Sequence, residues 1–71
     1  MSKLLSTFFK EGTDLKAKAE VHQNDLRNGY LIRYYDHNGH HIMDEEFVGN
    51  SLQFVEDAAE NWVLGIKVLN G

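Results

Sequence analysis

Cysteine is absent from the 71 residues, which excludes a disulfide framework and a thiolate zinc site. That absence fits a reducing, intracellular setting. No apolar run approaches the roughly 20 residues of a membrane span, and the first residues lack a secretory apolar region of the usual length. The expectation is a soluble, cytoplasmic protein with no membrane attachment. Lys and Arg are missing from residues 36–66, a stretch that holds seven acids: Asp36, Asp44, Glu45, Glu46, Glu56, Asp57 and Glu60. Phosphate binding depends on Lys and Arg displacing counterions, so this half of the chain is a poor nucleic-acid surface. Basic side chains gather in residues 1–35, where Lys3, Lys10, Lys16, Lys18, Arg27 and Arg33 stand against four acids. The net charge is −4, and acidic side chains in this pattern form the solvated faces of small domains.

A chain of this length is a single domain, 1–71. So small a core buries only about 60% of the unfolded chain's surface, so stability is marginal unless a partner or a second copy adds to it. No internal repeat or low-complexity segment is present.

What the sequence does contain is a series of short periodic segments. In SKLLSTFFKEG, the spacing of Leu4, Leu5, Phe8 and Phe9 puts them on one side of a helix. Ser2 serves as its cap and Gly12 as its stop, giving an N-terminal helix or arm over 1–12. Next, Leu15, Ala17, Ala19 and Val21 alternate with Lys16, Lys18, Glu20 and His22. That period of two predicts a half-buried strand, although Ala, Lys and Glu favour helix. NDLRNG is rich in turn formers. YLIRYYD is a strand, and Asn38-Gly39 between it and HHIMDEEFV marks a hairpin. A two-residue loop puts Tyr34 opposite Met43, Tyr30 opposite Phe47 and Arg33 opposite Asp44. Tyr30, Ile32, Tyr34, Met43 and Phe47 then share one apolar face. A type I turn with Gly39 left-handed slips the pairing by one and brings Tyr34 opposite Ile42. The first register makes the better apolar face and is preferred.

In NSLQFVEDAAENWVLG, Leu52, Val55, Ala59, Trp62 and Ile66 follow helical spacing, with Gln53, Glu56, Asp57, Glu60 and Asn61 on the other side. Asn50 with Gln53 makes a capping box, acids in the early turns suit the helix dipole, and Gly65 ends a helix over 51–64. Residues 66–71, IKVLNG, form an apolar tail suited to a short edge strand. The fold class is α+β: a three-stranded antiparallel meander over 15–48, an amphipathic C-terminal helix on one face, and a short N-terminal helix. Trp62 is the largest core anchor, near Tyr34 and Phe47.

His37, His40 and His41 at the hairpin tip, with Asp36 beside them, are the candidate metal ligands, since imidazole and carboxylate suit zinc, nickel or copper. In the preferred register His37 and His40 project from one face and His41 and Asp36 from the other, so no metal or other cofactor is assigned. Asp44, Glu45 and Glu46 alternate faces, and carboxylates do acid–base work only inside a cleft that shifts their pKa values. No nucleophile elbow, phosphate-cradling loop or metalloprotease helix is present. The chain reads as non-enzymatic. One helix covers one face of a sheet, which leaves Leu31, Arg33, Tyr35, Ile42 and Asp44 on an open face suited to a protein partner or to a second copy. The alternative is a nucleic-acid surface made by Lys16, Lys18, Arg27 and Arg33.

The stretch GYLIRYYDHNGHHIMDEEFVGNSLQFVEDAAENW resembles the Arm or AP2-like DNA-binding modules of phage integrases. Those have a tyrosine-rich strand, an Asp-x-Asn-Gly turn, a return strand ending in Phe and a helix rich in Ala and Glu. The resemblance covers about half the chain and implies a sheet that enters the major groove, but Asp44, Glu45 and Glu46 occupy positions where those modules carry Lys or Arg. SLQFVEDAAENWVLGI is similar in style to small uncharacterised proteins of T4-like marine cyanophages. LLSTFFKEG resembles the cleavable N-terminal targeting segment of internal capsid proteins of such phages, with Phe9-Lys10-Glu11 where they carry Leu- or Ile-x-Glu. These resemblances imply a phage-encoded protein of host cytoplasm or virion.

Overall fold

The computed structural model describes residues 2–12, 14, 16–24 and 29–69. The architecture is α+β, with strands β1 (Ser2–Phe9), β2 (Lys18–Asn24), β3 (Gly29–Tyr35) and β4 (His41–Val48) followed by helix α1 (Leu52–Val63). The strands pair antiparallel in chain order, β1-β2-β3-β4. The sheet therefore has four strands rather than three, and the segment expected to be an N-terminal helix is its first strand. A bulge explains the misreading. Leu4 pairs with His22 and Ser6 with Val21, which leaves Leu5 as an extra residue. A bulge breaks the two-residue alternation at Leu4-Leu5, while Phe8 and Phe9 pair regularly and put an apolar side chain on each face of the sheet; together the two doublets imitate helical spacing. The alternation of the second segment does make a strand, from Lys18 onward. Leu15 and residues 25–28, which include Arg27 and most of the expected NDLRNG turn, lie outside the described residues.

The β3–β4 hairpin combines both registers weighed above. Gly39 N donates to Asp36 O, and Asp36 N donates to His40 O, each at 2.9 Å. With Gly39 at φ +82°, this is a type I turn closed by a left-handed glycine. By itself that turn slips the pairing, and Tyr35 does face His41. A second irregularity then leaves Ile42 unmatched, and Tyr34 faces Met43, Arg33 faces Asp44 and Tyr30 faces Phe47. Because a one-residue slip turns every side chain over, the bulge is what returns Tyr34 and Met43 to the apolar side. The Asp36 carboxylate holds the turn, accepting from Asn38 N and His40 N at 2.9 Å each.

Helix α1 lies on one face of the sheet. Phe8, Ala19, Tyr34 and Met43 form one row across that face, and Ser6, Val21, Ile32 and Glu45 form the next. Ala17, Ala19, Val21, Ile32 and Tyr34 pack there against Val55, Ala59 and Trp62. Tyr34 and Trp62 meet edge to face with centroids 5.1 Å apart, and Tyr34 OH donates to Glu45 Oε1 at 2.7 Å. Burial raises the pKa of this hydroxyl, and the Glu45 carboxylate raises it further.

The helix cap is Ser51, whose Oγ accepts from Phe54 N at 3.1 Å, and not the expected Asn50–Gln53 box. Glu56 and Asp57 fall beyond the first turn, which contains no acid. The tail is no edge strand within residues 66–69: Ile66 N and Lys67 N both donate to Asn61 O, at 2.8 and 3.0 Å. Ile66, expected on the buried stripe, is exposed past the helix end. Among the described residues no helix is long and apolar enough to cross a membrane.

Candidate functional site

On the sheet face opposite α1 the strand registers set three rows of side chains: Leu4, His22, Leu31 and Glu46; Thr7, Glu20, Arg33 and Asp44; and Phe9, Lys18, Tyr35 and His41. Alternation along β2 sends Lys18, Glu20 and His22 here because Ala17, Ala19 and Val21 fill the core. Leu4 and Leu31 stand to either side of His22, which is buried.

The middle and lower rows are tied together. Glu20 receives Lys18 Nζ at 3.1 Å and His22 Nε2 at 3.0 Å, and Tyr35 OH reaches the same carboxylate at 3.5 Å. Lys18 Nζ lies 5.0 Å from the centre of the Tyr35 ring. Across the next strand pair, Asp44 Oδ1 accepts from His41 Nε2 at 2.7 Å and faces Arg33 Nε at 3.7 Å. Tyr35 and His41 meet edge to face, with centroids 5.7 Å apart. Arg33, Tyr35, His41 and Asp44 surround a shallow depression. Burial pushes the Glu20 carboxyl up, but the hydrogen bonds and charges of His22 and Lys18 outweigh it and hold it below the usual carboxylate range. Two polar atoms of this face, His22 Nδ1 and Arg33 Nε, are buried without a hydrogen-bond partner among the described residues.

Of the residues expected on the open face, Leu31, Arg33, Tyr35 and Asp44 are brought together here. Ile42 is not. As the bulged residue it falls on the helix side, where it lines a depression with Lys10, Ala17, Asp36, His37 and Trp62. The nucleic-acid set is divided. Lys16 is exposed, Lys18 and Arg33 face carboxylates, and Arg27 lies outside the described residues. His37 and His40 are exposed in the turn while His41 bonds to Asp44. Among the described residues no three His, Asp or Glu side chains stand close enough to share an ion. The Asp36 carboxyl is held below its ordinary range chiefly by the His40 backbone N–H, with burial opposing and the Asn38 N–H adding to it.

Sequence reasoning missed Leu4, Glu20 and His22. The signal for the last two was present in the β2 alternation. It needed the β2–β3 register, which sets Glu20 opposite Arg33, before it pointed to a site. Leu4 had no such signal, because its segment read as a helix. Fold and site together define a small α+β domain with one polar, aromatic sheet face uncovered by its helix. Comparison with family models, curated proteins and solved structures returns no match.

Proposed function

We propose that this protein is a non-catalytic interaction module that docks a partner protein on the open sheet face through Leu4, Leu31, Arg33, Tyr35 and Asp44. The observation that carries this reading is the network centred on Glu20 and Asp44. It fixes Lys18, His22, Arg33, Tyr35 and His41 before any partner arrives, and rigid groups lose little freedom on binding. Tyr and Arg are residue types that anchor protein interfaces.

Protein is favoured over nucleic acid because the cations here are already matched: Lys18 to Glu20, and Arg33 and His41 to Asp44. A phosphate would have to compete with those carboxylates. Glu20 with His22, and Asp44 with His41, are bonded to one another on an open surface and not held apart in a cleft, which supports binding rather than catalysis.

Capture from a lysate at two salt concentrations tests the reading. A protein retained by the wild type at both concentrations, resistant to nuclease and lost with Arg33→Glu/Tyr35→Ala, is the expected result. Retention that collapses with salt or nuclease would transfer the site to nucleic acid, whose binding weakens steeply as counterions compete.

A further inference from the structure

The two edges of the sheet are unlike. Unpaired edge strands attract other strands unless they are blunted by charge, proline or cover. β4 is blunted by the consecutive acids Asp44, Glu45 and Glu46, and Lys67 of the tail reaches Glu45 at 3.5 Å. β1 contains no acid and a single lysine, Lys3, and the chain has no proline. Leu4, Leu5 and Phe9 are 51%, 36% and 43% exposed. Among the described residues no strand lies outside β1. Its bulge at Leu5 leaves the run from Ser6 to Lys10 regular.

The phase of the ladder decides which groups that run presents. Lys10 N donates to Ala17 O at 2.9 Å. Residues of an antiparallel strand alternately turn their N–H and C=O toward one neighbour and the other. Phe8 therefore faces β2 as Lys10 does, and the backbone groups of Thr7 and Phe9 point outward.

We propose that β1 pairs antiparallel with β1 of a second copy of this chain, about a two-fold axis at Phe8. Thr7 of each copy exchanges both backbone hydrogen bonds with Phe9 of the other. Phe8 meets its counterpart at the non-hydrogen-bonded position, where side chains are closest. Lys10 comes opposite Ser6, and charge complementarity follows. Ser6 Oγ donates to a Glu56 carboxylate oxygen on α1, so the pairing brings each Lys10 within side-chain reach of Glu56 of the other copy. The Lys10 ammonium lies 4.4 Å from the centre of its own Trp62 ring, and the dimer exchanges that ring contact for an ion pair, twice by symmetry. Centring the axis on Thr7 instead sets Phe9 against the bulged Leu5. The pairing is isologous and closes on itself, giving a dimer and not a fibre. So short a run is smaller than a permanent interface, which makes the dimer reversible and concentration-dependent. The inference uses the edge of the sheet and stands or falls separately from the open face.

Sedimentation equilibrium over a range of concentrations tests it. Wild type is expected to rise from the 8.2 kDa of one chain toward twice that mass. Thr7→Pro removes an outward N–H that β2 does not use, and proline is accepted on an edge strand in that position. This variant is expected to keep the wild-type circular dichroism and remain a monomer. Lys10→Glu is expected to lose association, and adding Glu56→Lys in the same chain to recover it. A wild type that stays monomeric throughout overturns the proposal, as does a folded Thr7→Pro that dimerises like the wild type. Should Thr7→Pro fail to fold, failure of Lys10→Glu/Glu56→Lys to regain association overturns it.

Discussion

Tyr34 joins two sets of contacts: its ring packs on Trp62 of the helix, and its hydroxyl bonds to Glu45 on the neighbouring strand β4. Glu45 keeps Lys67 as a partner at 3.5 Å when the hydroxyl is removed. Tyr34→Phe should therefore cost only about 1 kcal/mol, the net worth of one hydrogen bond, by chemical denaturation. Tyr34→Ala should cost about 3–5 kcal/mol, as large-to-small changes of buried aromatics do. Gly29 shows the opposite constraint. A Cβ there would fall on the carbonyl oxygen of Phe47 across the ladder, so Gly29→Ala should destabilise by about 1–3 kcal/mol, the usual cost of overpacking. The carboxyls of Glu20 and Asp36 are both depressed in the folded chain. The stability they contribute is present above their unfolded pKa values and is lost as pH falls through the folded ones. The thermal midpoint should drop as pH falls below about 4.5, near the ordinary carboxylate range, and Glu20→Gln should flatten part of that drop. A midpoint indifferent to acid would contradict the network.

Each element shows what its sequence could announce. The helix was legible because Val55, Ala59 and Trp62 repeat at three and four, a pattern that needs no partner to be seen. Its exact start was not, since Asn50 and Ser51 are both good caps and only the backbone path selects Ser51. Ser51→Ala should cost about 1 kcal/mol and Asn50→Ala almost nothing, by thermal or urea unfolding. The β3–β4 face was legible for a similar reason: Tyr30, Ile32 and Tyr34 alternate. The bulge that delivers this face was hidden, because a left-handed Gly39 and an unmatched Ile42 cancel in the register. Deleting Ile42 should accordingly leave Tyr34 opposite Met43 and cost no more than about 1 kcal/mol. β1 was misread because Leu5 interrupts its alternation and its pairing partner lies in β2, beyond the reach of local spacing. The open-face set was legible as far as β3 and β4 supplied it, but Glu20 and His22 entered only with the register of β2.

At the scale of the whole molecule, one helix and a short core hold a sheet with two kinds of free surface. Beneath the helix the sheet is packed by the apolar core. The opposite side is polar, aromatic and already bonded within itself, with Lys18 paired to Glu20 and Arg33 and His41 to Asp44. The β1 edge is a third surface, with a different kind of partner. Cleavage after Glu11, the position suggested by LLSTFFKEG, would strip β1 from the sheet and remove Phe8 and the Ser6 bond to Glu56. The segment is part of the domain's own structure.

The most direct measurement of the central claim is a nuclease-treated capture from lysate using wild type, Arg33→Glu/Tyr35→Ala and Thr7→Pro side by side, each first shown to be folded by circular dichroism. The account predicts a protein bound by the wild type and by Thr7→Pro and lost from the open-face double variant. Equal binding by the folded double variant would contradict the open face as the docking surface.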